Sequence, residues 1–460
     1  MSIKRLLIAN RGEIAVRIVR AAKAMGIETI QVYSEADADM LACKQADVTV
    51  CVGGAAAKDS YLNIPNILAA AKETDADAVH PGYGFLAESA KFAQAVVGAG
   101  MIWVGPAAAT IDRMGDKVAA RQAAQAAGVP VVPGSKGRID KIDEAVEAAE
   151  RIGYPVMIKA AAGGGGKGIR IAQDATELRS LAPQAQTEAT AAFGDGGLYL
   201  ERAIQSPRHI EVQIMGDGID AVHFFERECS LQRRRQKVWE EAGADCLNEA
   251  TRAKLCDTAV SLAKAVNYCG AGTLEYLYDD VSKQFYFIEM NTRIQVEHPV
   301  TEMITGVDLV QEMIKVCGGE KLSHKQSEIT RTGHALEVRL NAEDPHMQFM
   351  PWPGKVTSLK IPEGDGIRFD HFLYEGYQIP PFYDSLIGKL IVHGTDRVDA
   401  IRKMAIALDE VKIGGLKTTI PLHKALCKDE VVASGAFHTQ WLEPWLAAGN
   451  LTKSSEKGAI

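Results

Sequence analysis

Val156-Met157-Ile158-Lys159-Ala160-Ala161-Ala162-Gly163-Gly164-Gly165-Gly166-Lys167-Gly168-Ile169-Arg170-Ile171-Ala172 is a glycine tract between two apolar, strand-like runs, 156–160 and 169–172. Glycine lets backbone N–H groups approach and wrap an anion, the physical basis of phosphate loops. The tract is not a Walker A loop. Lys167 is followed by Gly168 instead of Ser or Thr, and a strand instead of a helix comes next. It reads as a glycine-rich hairpin that folds over a nucleotide as a lid. Lys159, on the strand before it, can reach a phosphate as a point charge. The competing reading is a bare hairpin tip, yet a tight turn rarely needs four glycines.

Toward the N-terminus, residues 6–9, 29–33, 48–52, 78–80 and 101–104 read as strands, and 13–25, 64–74 and 88–99 as helices. That alternation predicts an α/β domain with a doubly wound parallel sheet. The first turn, Asn10-Arg11-Gly12-Glu13, lacks GxGxxG, so no dinucleotide site is expected there. Helices are expected at 116–127 and 143–152, each stopped by glycine and proline. Further strands are expected at 199–201, 210–215, 221–226, 273–278 and 285–290. Asn248 reads as the N-cap of a helix to residue 266, and 307–316 as another helix. Beyond residue 333, short strands joined by Pro/Gly turns predict an antiparallel closing region, and 451–460 a frayed polar tail.

A second constellation is Glu289-Met290-Asn291-Thr292-Arg293-Ile294-Gln295-Val296-Glu297. In a strand, alternate residues share a face, so Glu289, Asn291 and Arg293 point together, and Gln295 and Glu297 continue the alternation. A carboxylate beside an amide oxygen suits Mg²⁺ bridging nucleotide phosphates, and Glu275 on the neighbouring run offers a second carboxylate. The competing reading is a solvated strand face with an ordinary Glu–Arg pair. The run Gln232-Arg233-Arg234-Arg235-Gln236-Lys237 reads alone as a solvated basic cluster, or weakly as a nucleic-acid patch.

At 460 residues the chain exceeds one core and is expected to form two to four domains. Its composition, 24% charged and 47% hydrophobic, excludes a disordered chain and a coiled-coil rod. A net charge of −8 gives no general footprint for duplex DNA or an anionic membrane, so neither is an expected partner. No apolar run approaches the ~18–20 residues of a membrane span. The apolar run near the N-terminus is too short for a signal peptide. The 8 cysteines are scattered without a CxxC pair and read as reduced thiols. A soluble, cytoplasmic protein is expected.

Together these signals resemble the biotin carboxylases of the ATP-grasp superfamily. The resemblance runs through IANRGEIAVRI near the start, HPGYGFLAE at 80–88, MGDK at 114–117, the glycine tract and RHIEVQ at 208–213. It continues through ECSLQRR at 228–234, EMNTRIQVEHPVTE at 289–302, EVRLNAEDP at 337–345 and YDSLIGKL at 383–390. It implies an N-terminal (pre-ATP-grasp) domain over 1–113, an ATP-grasp domain over 114–330 with a lid at about 131–203, a C-terminal domain over 331–450, and a tail. It implies that bicarbonate attacks the γ-phosphate of ATP, and that the carboxyphosphate formed releases CO2 to biotin N1′.

On the same resemblance, Lys117, Lys159, Glu201, Arg202, Ile204, His209 and Gln232 contact ATP, and Gly163, Gly164, Gly165, Gly166, Lys167 and Gly168 close over its phosphates. Glu275 and Glu289, helped by Asn291, hold Mg²⁺ or Mn²⁺, two ions in all. Lys237, Arg293, Gln295 and the Val296 backbone cradle bicarbonate. Glu297 is the general base, Arg339 stabilises the biotin enolate, and Tyr83 lies near the biotin ring. No Ala-Met-Lys-Met-like string occurs, so biotin is expected on a separate biotin carboxyl carrier protein, with separate carboxyltransferase subunits and a homodimer of this chain. The chain departs from the family pattern at Arg235, usually His, at Gly243-Ala244-Asp245-Cys246, usually led by proline, and at Arg202-Ala203-Ile204, usually Lys-Tyr-Leu. The alternatives are another ATP-grasp carboxylate ligase, which would lack Arg293-Ile294-Gln295-Val296-Glu297, a pyruvate- or propionyl-CoA-type subunit, and a regulatory subunit with a dead site.

Overall fold

Residues 3–160, 170–193 and 195–451 are described by a computed structural model. The glycine tract at 163–168, with the lid expected there, lies outside the described residues. The chain forms two compact units, one of Met1–Val129, Arg208–Tyr276 and Glu289–Ile460, the other of Pro130–Pro207 and Leu277–Ile288.

The larger unit begins with a five-stranded parallel sheet in the order Val48–Cys51, Glu28–Tyr33, Arg5–Ile8, Ala78–His80, Ile102–Trp103. Its strands are apolar on both faces because helices cover both. Leu6 and Ile8 pack with Ile14 and Ile18 of helix Gly12–Ala24. Leu7 turns the other way, to Ile67 of helix Ile64–Glu73 and Phe92 of helix Ala90–Gly98. The doubly wound expectation holds.

The same unit contributes to an eight-stranded sheet ordered Gln284–Asn291, Cys269–Asp279, Arg208–Asp217, Ala221–Arg233, Gln236–Ala242, His334–Asn341, Leu386–Gly394, Ile367–His371. From Arg208–Asp217 onward the pairs are antiparallel. Helix Glu249–Ala265 starts as expected, with Asn248 Oδ1 accepting from Thr251 N at 2.8 Å. Asn248→Ala should cost about 1 kcal/mol. In so long a chain that is a melting shift of about 1–2 °C by circular dichroism; an unchanged melt would show the cap contributes nothing.

The closing region is antiparallel as expected, but its strands extend the large sheet, and helices Arg397–Glu410, Ile420–Leu426, Glu430–Ser434 and Leu442–Ala447 follow them. Among the described residues no helix is long and apolar enough to cross a membrane.

In the smaller unit, strands Arg170–Ala172, Val156–Ala160 and Leu198–Arg202 form an antiparallel sheet. Val156, Ile158, Leu198 and Leu200 face Ala149 of helix Ile142–Ile152 and Leu178 of helix Ala175–Phe193. That second helix was not among the expected elements, and it carries Pro183 in its interior, where proline normally breaks a helix.

Candidate functional site

Five strands of the large sheet and the turn after residue 291 build a buried polar cluster. Lys237 Nζ donates to Glu211 Oε2 at 2.5 Å, to Glu297 Oε1 at 2.6 Å and to Glu275 Oε1 at 3.0 Å. That uses all three ammonium donors. Glu275 Oε1 also accepts from Asn291 Nδ2 at 2.9 Å and Gln295 Nε2 at 3.0 Å, while its Oε2 stands 3.3 Å from His209 Nε2. Arg339 donates through Nε to Glu240 Oε1 at 2.6 Å and through Nη2 to Glu297 Oε2 at 3.0 Å. One oxygen of Glu297 therefore meets Lys237 and the other meets Arg339.

The alternation expected through Glu297 stops at Asn291, where its strand ends. Gln295 and Glu297 reach the cluster because the chain turns there, with Glu297 as N-cap residue of helix His298–Thr305 and Pro299 in its first turn. Arg293 is drawn aside: its Nε donates to Glu88 Oε2 at 3.0 Å and its Nη2 to Asn291 Oδ1 at 3.0 Å.

The basic cluster is a hairpin turn between Ala221–Arg233 and Gln236–Ala242, which pairs Gln232 opposite Lys237. Arg234 and Arg235 occupy it with φ of 48° and 65°. Such turns normally carry Asn-Gly, so two arginines hid the hairpin from the sequence reading. Arg235 is exposed at its tip, while Gln232 Nε2 donates to Cys229 O at 2.9 Å.

A cavity of about 470 Å³ opens onto Lys237, Val296 and Arg339, with Tyr83 in its wall. Gly82 sets the approach to Tyr83: its φ is +64°, and a Cβ there would stand 2.8 Å from Asn10 Nδ2. The same Asn10 amide donates to the carbonyls of Pro81 and Tyr83, each at 2.7 Å. Val296 O accepts from Lys389 Nζ at 2.7 Å, and Lys389 also pairs with Glu13, to which the Tyr83 hydroxyl donates.

Glu289 is half-buried, and Lys117 is exposed at the start of helix Lys117–Ala126. In the smaller unit, Lys159 pairs with Glu201 on the sheet face away from the helices, while Arg202 and Ile204 are half-buried beyond.

Burial works against charge throughout, so each shift shows which partner prevails. For Glu297 burial is outweighed by Lys237, then Arg339 and Arg227, and the carboxyl is held below its ordinary value. For Lys237 burial is outweighed by Glu211, Glu297 and Glu275, and the ammonium is held well above its ordinary value. Glu289 is pushed up, by burial first and by Glu275 next. His209 is raised to about 9, burial being overcome mainly by Glu275.

Glu211, Arg227, Glu240, Glu337 and Lys389 were not expected in the cluster. A signal for the first exists: His209, Glu211 and Gln213 alternate on one strand, and all are buried. Arg227 and Glu240 sit in charged runs that read as solvated, and only the fold shows them inside.

Similarity to known proteins is extensive. The profile described as "Biotin carboxylase, N-terminal domain" matches residues 2–111, "Carbamoyl-phosphate synthase L chain, ATP binding domain" 116–325, and "Biotin carboxylase C-terminal domain" 337–444. "Biotin carboxylase 1" of Bacillus subtilis is 51% identical over 449 residues, 97% of this chain and 100% of the relative. A biotin carboxylase–β,γ-ATP complex from Campylobacter jejuni superposes with a TM-score of 0.88 at 47% identity, covering 96% of this chain and 99% of that one. The biotin carboxylase domain dimer of a Hydrogenobacter thermophilus 2-oxoglutarate carboxylase, in complex with MgADP, ADP and bicarbonate, gives 0.85 at 44% identity, covering 97% and 98%.

Proposed function

The chain belongs to the biotin carboxylase family, ATP-dependent ligases, and from that premise we propose that it carboxylates biotin on a separate carrier protein. The carboxyl group then passes through carboxyltransferase subunits to an acyl-CoA, acetyl-CoA in the first instance. The observation that carries the reading is the double hold on Glu297, between Lys237 and Arg339 and beside a Tyr83-walled cavity.

Two anions, ATP and bicarbonate, must meet, and cations must offset their repulsion. Lys237, Arg293, Gln295 and the Val296 backbone cradle bicarbonate in this reading, Arg293 leaving Glu88 to offer its planar fork. Glu297 takes the bicarbonate proton. Arg339 faces the biotin enolate, and Tyr83 the ureido ring. His209, Gln232 and Lys117 serve ATP, as do Lys159, Glu201, Arg202 and Ile204 of the smaller unit.

Glu275, Glu289 and Asn291 fit a hard divalent cation, because they are oxygen donors and the charge of Glu275 already presses on Glu289. Mg²⁺ or Mn²⁺ there, two ions in all, would neutralise phosphate charge. Biotin-dependent, bicarbonate-stimulated release of phosphate from ATP tests the reaction, and transfer of labelled bicarbonate to a co-purifying carrier tests the partner. ATP cleavage indifferent to both biotin and bicarbonate would overturn the reading. Label appearing in the carboxylated product of pyruvate or 2-oxoglutarate instead of a carboxylated acyl-CoA would overturn the acceptor alone.

A further inference from the structure

Behind Arg339 lies a pair of glutamates that the reaction as described does not use. Glu240 on strand Gln236–Ala242 stands directly opposite Glu337 on strand His334–Asn341, so their side chains share one face of the sheet. Both are fully buried, at 0% exposure. Glu240 Oε1 accepts from Arg339 Nε at 2.6 Å, whereas Glu240 Oε2 and both oxygens of Glu337 are buried without a hydrogen-bond partner. Two facing buried carboxylates cannot both be ionised at low cost, and one proton between them removes a charge and supplies a donor.

We propose that Glu240 and Glu337 share one proton and act as positioning residues for Arg339, placing one negative charge fewer behind its guanidinium. The inference rests on the biotin carboxylase reading, in which Arg339 faces a developing enolate. With both glutamates ionised, Arg339 would have three carboxylates around it, counting Glu297. Its field on an incoming anion would then be cancelled.

The surroundings agree. Glu337 is pushed well up by burial first, against Lys389 and Arg339 and with Glu240 and Glu297. Glu240 is pushed up to about 7 by burial, against Arg339 and Lys237 and with Glu297. The groups facing the pair are thus Arg339 on the strand of Glu337, Lys237 on the strand of Glu240, the Cys229 thiol from the adjoining strand Ala221–Arg233, Lys389 from Leu386–Gly394, and Glu297 at the start of helix His298–Thr305.

With folded-state values raised, the folded chain binds more protons than the unfolded chain. The pair's contribution to stability is therefore full below the ordinary glutamate value of about 4.3. It is lost as pH rises through about 7, the value for Glu240. Glu337→Gln imitates the protonated partner and removes this dependence. Its melting temperature should gain on that of the wild type steadily from mildly acid to mildly alkaline pH. The alkaline limb of the pH–rate profile for carrier carboxylation should move to higher pH in the variant. A role in packing alone would move neither slope nor limb.

The infrared carbonyl band of a protonated carboxyl, present in the wild type at neutral pH and titrated away at alkaline pH, checks the shared proton without any variant. Absence of that band, a pH-independent stability difference, or an unmoved alkaline limb each overturns the proposal. The band and the melting data need no turnover, so a wild type without biotin-dependent activity would strike the functional reading and leave the shared proton standing.

Discussion

Glu297→Gln should retain nucleotide binding and lose bicarbonate-dependent ATP cleavage by about 10²–10⁴-fold, the range typical for removing a general base. The amide keeps the size of the side chain and can still accept from Lys237, now at 2.6 Å from Oε1. It cannot take a proton. Lys237 and Arg339 explain why the native carboxyl waits ionised: with Arg227 they outweigh burial and hold it below its ordinary value. A base held so low is weak until something competes for those cations. On the proposed reading, bicarbonate seated at Lys237 would do so, because the ammonium would then divide its charge between substrate and base. Steady-state phosphate release and a nucleotide-binding titration on the same preparation separate the two effects. A variant within threefold of the wild type in biotin-dependent cleavage would refute the role given to Glu297. Loss of nucleotide binding would show that the substitution had disturbed the fold.

The two parts of the chain were unequally legible. The parallel sheet could be read because its signal is local: short apolar runs alternate with helical ones, and Leu7 between Leu6 and Ile8 already places side chains on two faces. The large sheet was harder. Arg234 and Arg235 make a tight turn without the glycine or asparagine that announces one. Helix Ala175–Phe193 was not read at all, and Pro183 in its interior is a residue that argues against a helix.

In the site, Glu275, Gln295, Glu297 and Lys237 could be named because short motifs carry them, yet their convergence is a fact of the fold. Glu211 and Lys237 are 26 residues apart, and Glu297 and Lys237 are 60 apart. Arg293 was expected beside them and instead leans on Glu88, a residue 205 positions away. No reading of one sequence supplies such distant pairs. Buried charges were the least visible, because Arg227, Glu240 and Glu337 have the residue types of a solvated surface.

Arg227→Met should cost about 3–5 kcal/mol, the usual price of removing one partner from a buried ion pair. Arg227 is fully buried and spends every N–H it has. Nε donates to Glu211 Oε1 at 2.6 Å, Nη1 to Gln213 Oε1 at 2.7 Å and Thr301 Oγ1 at 3.0 Å, and Nη2 to Gln295 Oε1 at 2.7 Å and Thr273 Oγ1 at 3.1 Å. Five donors thus fix two neighbouring strands, the turn carrying Gln295 and the helix that follows it. Methionine fills much of the same volume, so the loss comes from the acceptors stranded in the interior, Glu211 above all. Lys237 alone would then face Glu211, and Glu297 would lose one of the cations that keep it ionised. Arg227→Lys keeps the charge but offers three donors in place of a planar fork. It should recover part of the stability while Gln295, no longer aimed, leaves bicarbonate KM raised. Chemical denaturation of both variants, with Glu211→Gln alone and combined with Arg227→Met, separates charge from shape. If compensation of Glu211 dominates, the double variant is more stable than the two single losses added together. Arg227→Met within about 1 kcal/mol of the wild type would mean that the buried network is dispensable, since that is the size of an ordinary substitution.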